Sequence, residues 1–145
     1  MIKILVLLLS IVPFIAHSNS NFCENHTPIS TETMDGEKFG LVIPGSKIRK
    51  TQAWSPEEMV SPPLTTYGVY ALVNDWAVYN LPKFDGIEIR SMELLKYACR
   101  SINSDKEYWY YIVEYYPLLD GNKMLGSNNY VGVLMSGEVI GVKSI

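Results

Sequence analysis

The run Tyr108-Trp109-Tyr110-Tyr111-Ile112-Val113-Glu114-Tyr115-Tyr116 leaves the chain little choice of local structure. Every residue but Glu114 is aromatic or β-branched. Such side chains lose rotamer freedom in a helix and pack well on a pleated surface. In a strand, alternation puts Trp109, Tyr111, Val113 and Tyr115 on one face. Tyr108, Tyr110, Ile112, Glu114 and Tyr116 then share the other. One face is needed to cover a helix. The second, three tyrosines and an isoleucine around one acid, is expected to lie partly open as an aromatic binding surface.

The segments around this strand read less evenly. Tyr130–Met135 and Glu138–Lys143, joined by Ser136-Gly137, predict a tight closing hairpin. Pro117 and Asp120-Gly121-Asn122 are expected to end the aromatic strand. Residues 87–102 admit two readings: Met92, Leu95, Cys99 and Ile102 fit a helical face, while Ile87 and Ile89 alternate with Glu88 and Arg90. The loop Asn103-Ser104-Asp105-Lys106 has hairpin length. The favoured expectation is two strand pieces forming the first arm of a hairpin.

Upstream, Phe39–Ile43 is a short strand stopped by Pro44-Gly45. Ser55-Pro56-Glu57-Glu58 carries a capping box for a short helix, with Trp54 as its hydrophobic staple. Ser61-Pro62-Pro63 offers a second start, with Ser61 as cap. From there Val69, Leu72, Val73, Trp76 and Tyr79 recur at helical spacing, until Pro82 and Asp85-Gly86 end the helix. Helices followed by antiparallel strands predict an α+β fold: one or two N-terminal helices on a C-terminal sheet of about four strands.

Residues 1–18 have the form of an export signal. Lys3 precedes an apolar run from Ile4 to Ile15, and Ala16-His17-Ser18 places small residues at a cleavage site. A helix over residues 2–16 spans about 22 Å, short of the roughly 30 Å hydrocarbon core, so no stable membrane insertion is expected. Residues 19–145 are read as a single α+β domain with an extended polar arm over about 19–36. Cys23 and Cys99, an even pair in an exported chain, are expected to form a disulfide. Closing a loop of about 76 residues stabilises by roughly 4.5 kcal/mol in the chain-entropy picture.

Composition then bears on function. The full chain carries a formal net charge of −3, and losing the signal removes one lysine and no acid. The acidic balance and the lack of a basic cluster beyond Lys47-Ile48-Arg49-Lys50 argue against nucleic acid. His26 is the one histidine outside the signal, and the chain has no Gly-rich phosphate loop or zinc-ligand spacing. The expectation is no catalysis, no metal and no cofactor.

The ending, a Trp/Tyr strand, a loop and then Tyr130-Val131-Gly132-Val133-Leu134-Met135-Ser136-Gly137-Glu138-Val139-Ile140-Gly141-Val142, resembles the last strands of small cystatin-like and NTF2-like domains. The resemblance covers the C-terminal strands alone. It implies a helix cradled by a curved sheet, a scaffold that occurs among exported bacterial proteins, some of them immunity proteins that neutralise toxins.

Taken together, the residues predict a small periplasmic or secreted binding protein of inhibitor or immunity type. It would occlude a protein partner, such as a basic toxin or cell-wall hydrolase, through Tyr108, Tyr110, Ile112, Glu114 and Tyr116. On that reading, Tyr110→Ala with Tyr116→Ala would lose the partner and keep the fold. The alternative is a small-ligand module with an apolar pocket between helix and sheet, lined by Trp76, Trp109 and Tyr111.

Overall fold

A computed structural model describes residues 21–99 and 105–145. The export signal expected over 1–18 and the turn residues Asn103 and Ser104 lie outside them. In chain order the elements are α1 (Asn21–Glu24), β1 (Asn25–Glu32), β2 (Lys38–Pro44), α2 (Gly45–Ile48), α3 (Thr66–Asn80), β3 (Gly86–Lys96), β4 (Trp109–Leu119), β5 (Asn122–Lys123), β6 (Tyr130–Leu134), β7 (Val139–Gly141) and β8 (Lys143–Ser144). The fold is α+β, as expected, although β1 and β2 precede the long helix and form part of a second sheet.

Two antiparallel sheets and one long helix make three layers. The larger sheet runs β3-β4-β6-β7, with β5 attached to β4, and the smaller runs β1-β2-β8. Alternation along β4 feeds two separate cores. Tyr111, Val113 and Tyr115 pack with Val131 and Val133 of β6 against Val69 and Val73 of α3. Tyr110 and Ile112 point the other way and pack with Leu134 against Leu41, Ile43 and Ile48 of the smaller sheet and α2. Gly132 permits that second contact, since a Cβ there would sit 2.9 Å from Ile43 Cδ1. A strand buried on both faces is apolar throughout, and this explains the unbroken aromatic run.

The helix begins later than Ser61-Pro62-Pro63 suggests. Proline drives the residue before it out of the helical region, so Pro63 disfavours helix at Pro62. Thr65 becomes the cap, its side chain accepting from the Gly68 N–H at 3.2 Å. For the same reason the Ser55 capping box yields a single turn, in which Glu58 and Met59 N–H donate to Ser55 O, and no helix. Trp54 therefore staples nothing. It meets Trp109 edge-on at 5.2 Å, and its indole N–H donates to Met59 O at 3.2 Å. On α3, Val69, Val73 and Ala77 are buried and Tyr79 is exposed, so the buried stripe bends away from the expected one.

β3 resolves the two readings of residues 87–102 in favour of strand for its length. Its pairing with β4 is in register from Gly86↔Leu118 to Lys96↔Trp109, with an irregularity between Ile89 and Ser91. Arg90 is the extra residue of a bulge. Ile87 and Ile89 before it and Met92 and Leu94 after it all pack on the helix-side core. Without the bulge the second pair would face the opposite way. β4 runs past Pro117 to Leu119, because Pro117 supplies only its carbonyl, which accepts from Met124 N–H at 2.8 Å. Asp120 (φ 50°) and Gly121 (φ 73°) then make the tight turn into β5, both in the left-handed region such a hairpin requires. The closing hairpin forms as expected, with Gly137 (φ 88°) at its tip.

The segment read as an extended arm is a paired strand. β1 lies antiparallel to β2 from Asn25↔Pro44 to Glu32↔Lys38, with a break in register between His26 and Ile29 around Pro28. The Cys23–Cys99 disulfide joins its start to the chain just after β3. No helix among the described residues is long and apolar enough to cross a membrane.

Candidate functional site

The five residues expected to form an open surface on β4 do not form one. Tyr110 is 2% exposed and Ile112 7% exposed, both in the core between the sheets. The physical reason is the N-terminal segment: as β1 and β2 it covers the face that a two-layer fold would leave open. Tyr108 is half-buried against that core. Glu114 and Tyr116 lie at the far end of the strand in a charged lattice. Arg90 pairs with Glu114, Lys123 pairs with Glu88 at 2.6 Å, and the Arg90 and Lys123 cations lie 5.9 and 5.8 Å from the Tyr116 ring.

Between the sheets, His26 is half-buried rather than free in a polar arm. Its Nε2 shares a 2.6 Å hydrogen bond with Tyr110 Oη, and the rings of Tyr97 and Tyr110 meet it edge-on at 5.5 Å. Tyr97 in turn donates to Cys23 O, to which the Arg49 guanidinium also donates at 3.2 Å. These groups close the corner beside the disulfide. Burial raises the Tyr110 phenol to about 12, so it stays a neutral hydroxyl.

Burial also lowers the His26 pKa below its ordinary 6.5. The unfolded chain therefore takes up a proton first as pH falls. This contribution to stability is full above about pH 6.5, declines below it, and levels off beneath the folded-state pKa. Urea midpoints measured from about pH 7 to pH 5 should fall in the wild type and fall less in His26→Gln.

Trp76, Trp109 and Tyr111, expected to line a pocket, each have packing partners. Tyr111 is in the core, its hydroxyl donating to Leu64 O at 2.9 Å. Trp109 is covered by Trp54, and Trp76 borders a separate open cleft. All three belong to the packed core between α3 and the larger sheet.

The exposed aromatic surface lies on α3. Tyr67 is 82% exposed, Tyr70 51%, Val78 70% and Tyr79 83%. Tyr67 and Tyr70, three residues apart, are neighbours on the outer face, Val78 lies further along the same face, and Tyr79 sits on its flank. These apolar side chains lie outside the stripe that Val69, Val73 and Ala77 bury. Beside it, a depression of about 500 Å³ lies between α3 and the loop to β3, lined by Asn74, Asp75, Val78, Leu81, Phe84 and Ile87 among others. From Thr51 to Pro82 there is no Lys, Arg or His, while Glu57, Glu58 and Asp75 supply acid. Asp75 is the one charged residue of α3, and Lys83 follows the helix, so the surface is aromatic with a single acid. Sequence reading missed Tyr67, Tyr70 and Val78, though a helix with apolar residues outside its core stripe was the available signal.

Among the described residues no group of three or more His, Cys, Asp or Glu side chains is placed to hold a metal ion. In comparison with known proteins, no family model, no curated protein and no solved structure matches the chain.

Proposed function

We propose that this is an exported binding protein of inhibitor or immunity type, which occludes a cationic protein partner through the outer face of α3. The observation that carries the reading is the exposure of Tyr67, Tyr70, Val78 and Tyr79 on one helix. Tyrosine brings large contact area, a hydroxyl and little rotamer entropy to an interface, and such rings dominate binding energy where they are found. Their setting supports the sign of the partner. Arg and Lys side chains are attracted to tyrosine faces, and Asp75, the one charged residue of α3, favours a basic surface. The Cys23–Cys99 disulfide supports an oxidising compartment, and the signal-like N-terminus supports periplasm or secretion. Occlusion needs only fit and residence time, so a chain with one histidine outside its signal suffices for it.

The test is capture of a partner from an envelope extract by the wild type and by the variant Tyr67→Ala, Tyr70→Ala, Tyr79→Ala. Surface substitutions of this kind change stability by about 0.5 kcal/mol or less each, so the variant folds. The expected result is a basic partner retained by the wild type, released by salt, and lost by at least about a hundredfold in affinity from the variant. A partner held equally well by both proteins would overturn the assignment to α3. An acidic partner would overturn the charge argument.

A further inference from the structure

A second cleft, on the opposite side of α3 from its tyrosine face, has a different chemistry. It encloses about 480 Å³ and is lined by Phe39, Trp76, Asn80, Leu81, Tyr115, Asn128, Gly141 and Val142. That volume is within the range of small-molecule sites. All three structural layers contribute: Phe39 from β2, Trp76 and Asn80 from α3, and Tyr115 and Gly141 from the larger sheet. Gly141 is what lets the indole lie there, since a Cβ on that residue would come within 3.0 Å of Trp76 Cζ2. Trp76 meets Tyr115 edge-on, with centroids 6.0 Å apart and planes at 66°. Trp76 and Phe39 remain half-buried.

The two amides are committed at one end each. Asn80 Nδ2 donates to Trp76 O at 2.8 Å, which leaves its side-chain oxygen as an acceptor. Asn128 Oδ1 accepts from the Thr31 hydroxyl, which leaves its NH₂ as a donor. The cleft therefore offers the Asn80 side-chain oxygen as an acceptor and the Asn128 NH₂ as a donor, together with the second Asn80 N–H, beside aromatic rings that include the Tyr115 phenol.

We propose that this cleft binds a neutral saccharide. No Asp, Glu, Lys, Arg or His lines it, so a charged ligand would give up hydration without a counter-charge. A purely apolar ligand would leave both amides unpaired, a cost of the same order as the burial it gains. A flat heterocycle is best held between parallel rings, and Trp76 and Tyr115 are strongly inclined to each other. A pyranose has what remains: an apolar C–H face for one ring, and hydroxyls that both donate and accept for the paired amides.

The experiment is calorimetric titration of the purified, signal-free chain with cellobiose, maltose and N,N′-diacetylchitobiose. Adenosine and an anilinonaphthalene dye serve as the flat and apolar competitors. Saturable binding of at least one disaccharide in the millimolar range is expected, weakened about tenfold by Asn80→Ala with Asn128→Ala. Asn128→Ala alone, which removes no helix hydrogen bond, serves if the double variant does not fold. The proposal is overturned by absence of saturation with all three sugars, by binding indifferent to the amide variants, or by tighter binding of adenosine or the dye. Asn128 lies in the loop before β6 and not on α3, so Asn128→Ala separates this result from loss of partner capture by the α3 tyrosine variant.

Discussion

Replacing Tyr110 with Ala is expected to lower the stability of this protein by about 3–5 kcal/mol, a large part of what a domain of this size possesses. The ring is 2% exposed and belongs to the core between the two sheets, among Leu41, Ile43, Ile48 and Leu134. Removing it leaves a cavity that two hydrogen-bonded sheets cannot collapse around. It also strips His26 Nε2 of its hydroxyl partner in a half-buried corner. Tyr110→Phe separates the two effects: keeping the ring and losing the hydroxyl should cost only about 1 kcal/mol. Urea denaturation of the three proteins provides the check. If Tyr110→Ala unfolds at the wild-type midpoint, the smaller sheet does not cover β4. The same substitution, judged from sequence alone, looked like one that would spare the fold.

Reduction of the Cys23–Cys99 disulfide, or Cys23→Ser with Cys99→Ser, is the second large effect. The two residues are 76 apart in sequence. Freeing a loop of that length restores conformational entropy to the unfolded chain worth roughly 4.5 kcal/mol. The loss should not be uniform. The bridge ties the start of β1 to the end of β3, so the smaller sheet is the part held by it. Amide exchange in β1 and β2 should accelerate far more on reduction than exchange in β4 and β6. Equal acceleration throughout would mean that the two sheets open as one unit.

These two effects mark where sequence reading succeeded and where it stopped. The aromatic strand, the closing hairpin, the disulfide pair and the α+β class were legible because each rests on local chemistry: side-chain branching, a Ser-Gly turn, two cysteines, and helical periodicity. The fate of the outer β4 face was not legible. It depends on what residues 25–44 do some seventy positions away, and Asn25–Glu32 is polar with a proline in it. Polar residues read as an arm when the pairing partner is unknown, although an edge strand is polar for good reason. Residues 87–102 were ambiguous for a related cause. Met92, Leu95 and Cys99 recur at helical spacing, but in the fold Met92 packs on the helix-side core while Leu95 and Cys99 pack on the core between the sheets, because this segment too is covered on both faces. With the outer β4 face covered, the exposed rings on which the proposed function rests are those of α3.

The bulge at Arg90 has a further consequence for life at high concentration. β3 is the outer strand of the larger sheet, eleven residues long, with one row of backbone groups turned away from β4. A straight ribbon of that length would template a neighbouring molecule and seed fibrils. Arg90 breaks the ribbon near its middle, and Glu88, Glu93 and Lys96 place charge on either side of the break. Incoming chains find two short, kinked, charged stubs instead of one continuous docking rail, and polymerisation along this edge has nowhere to start.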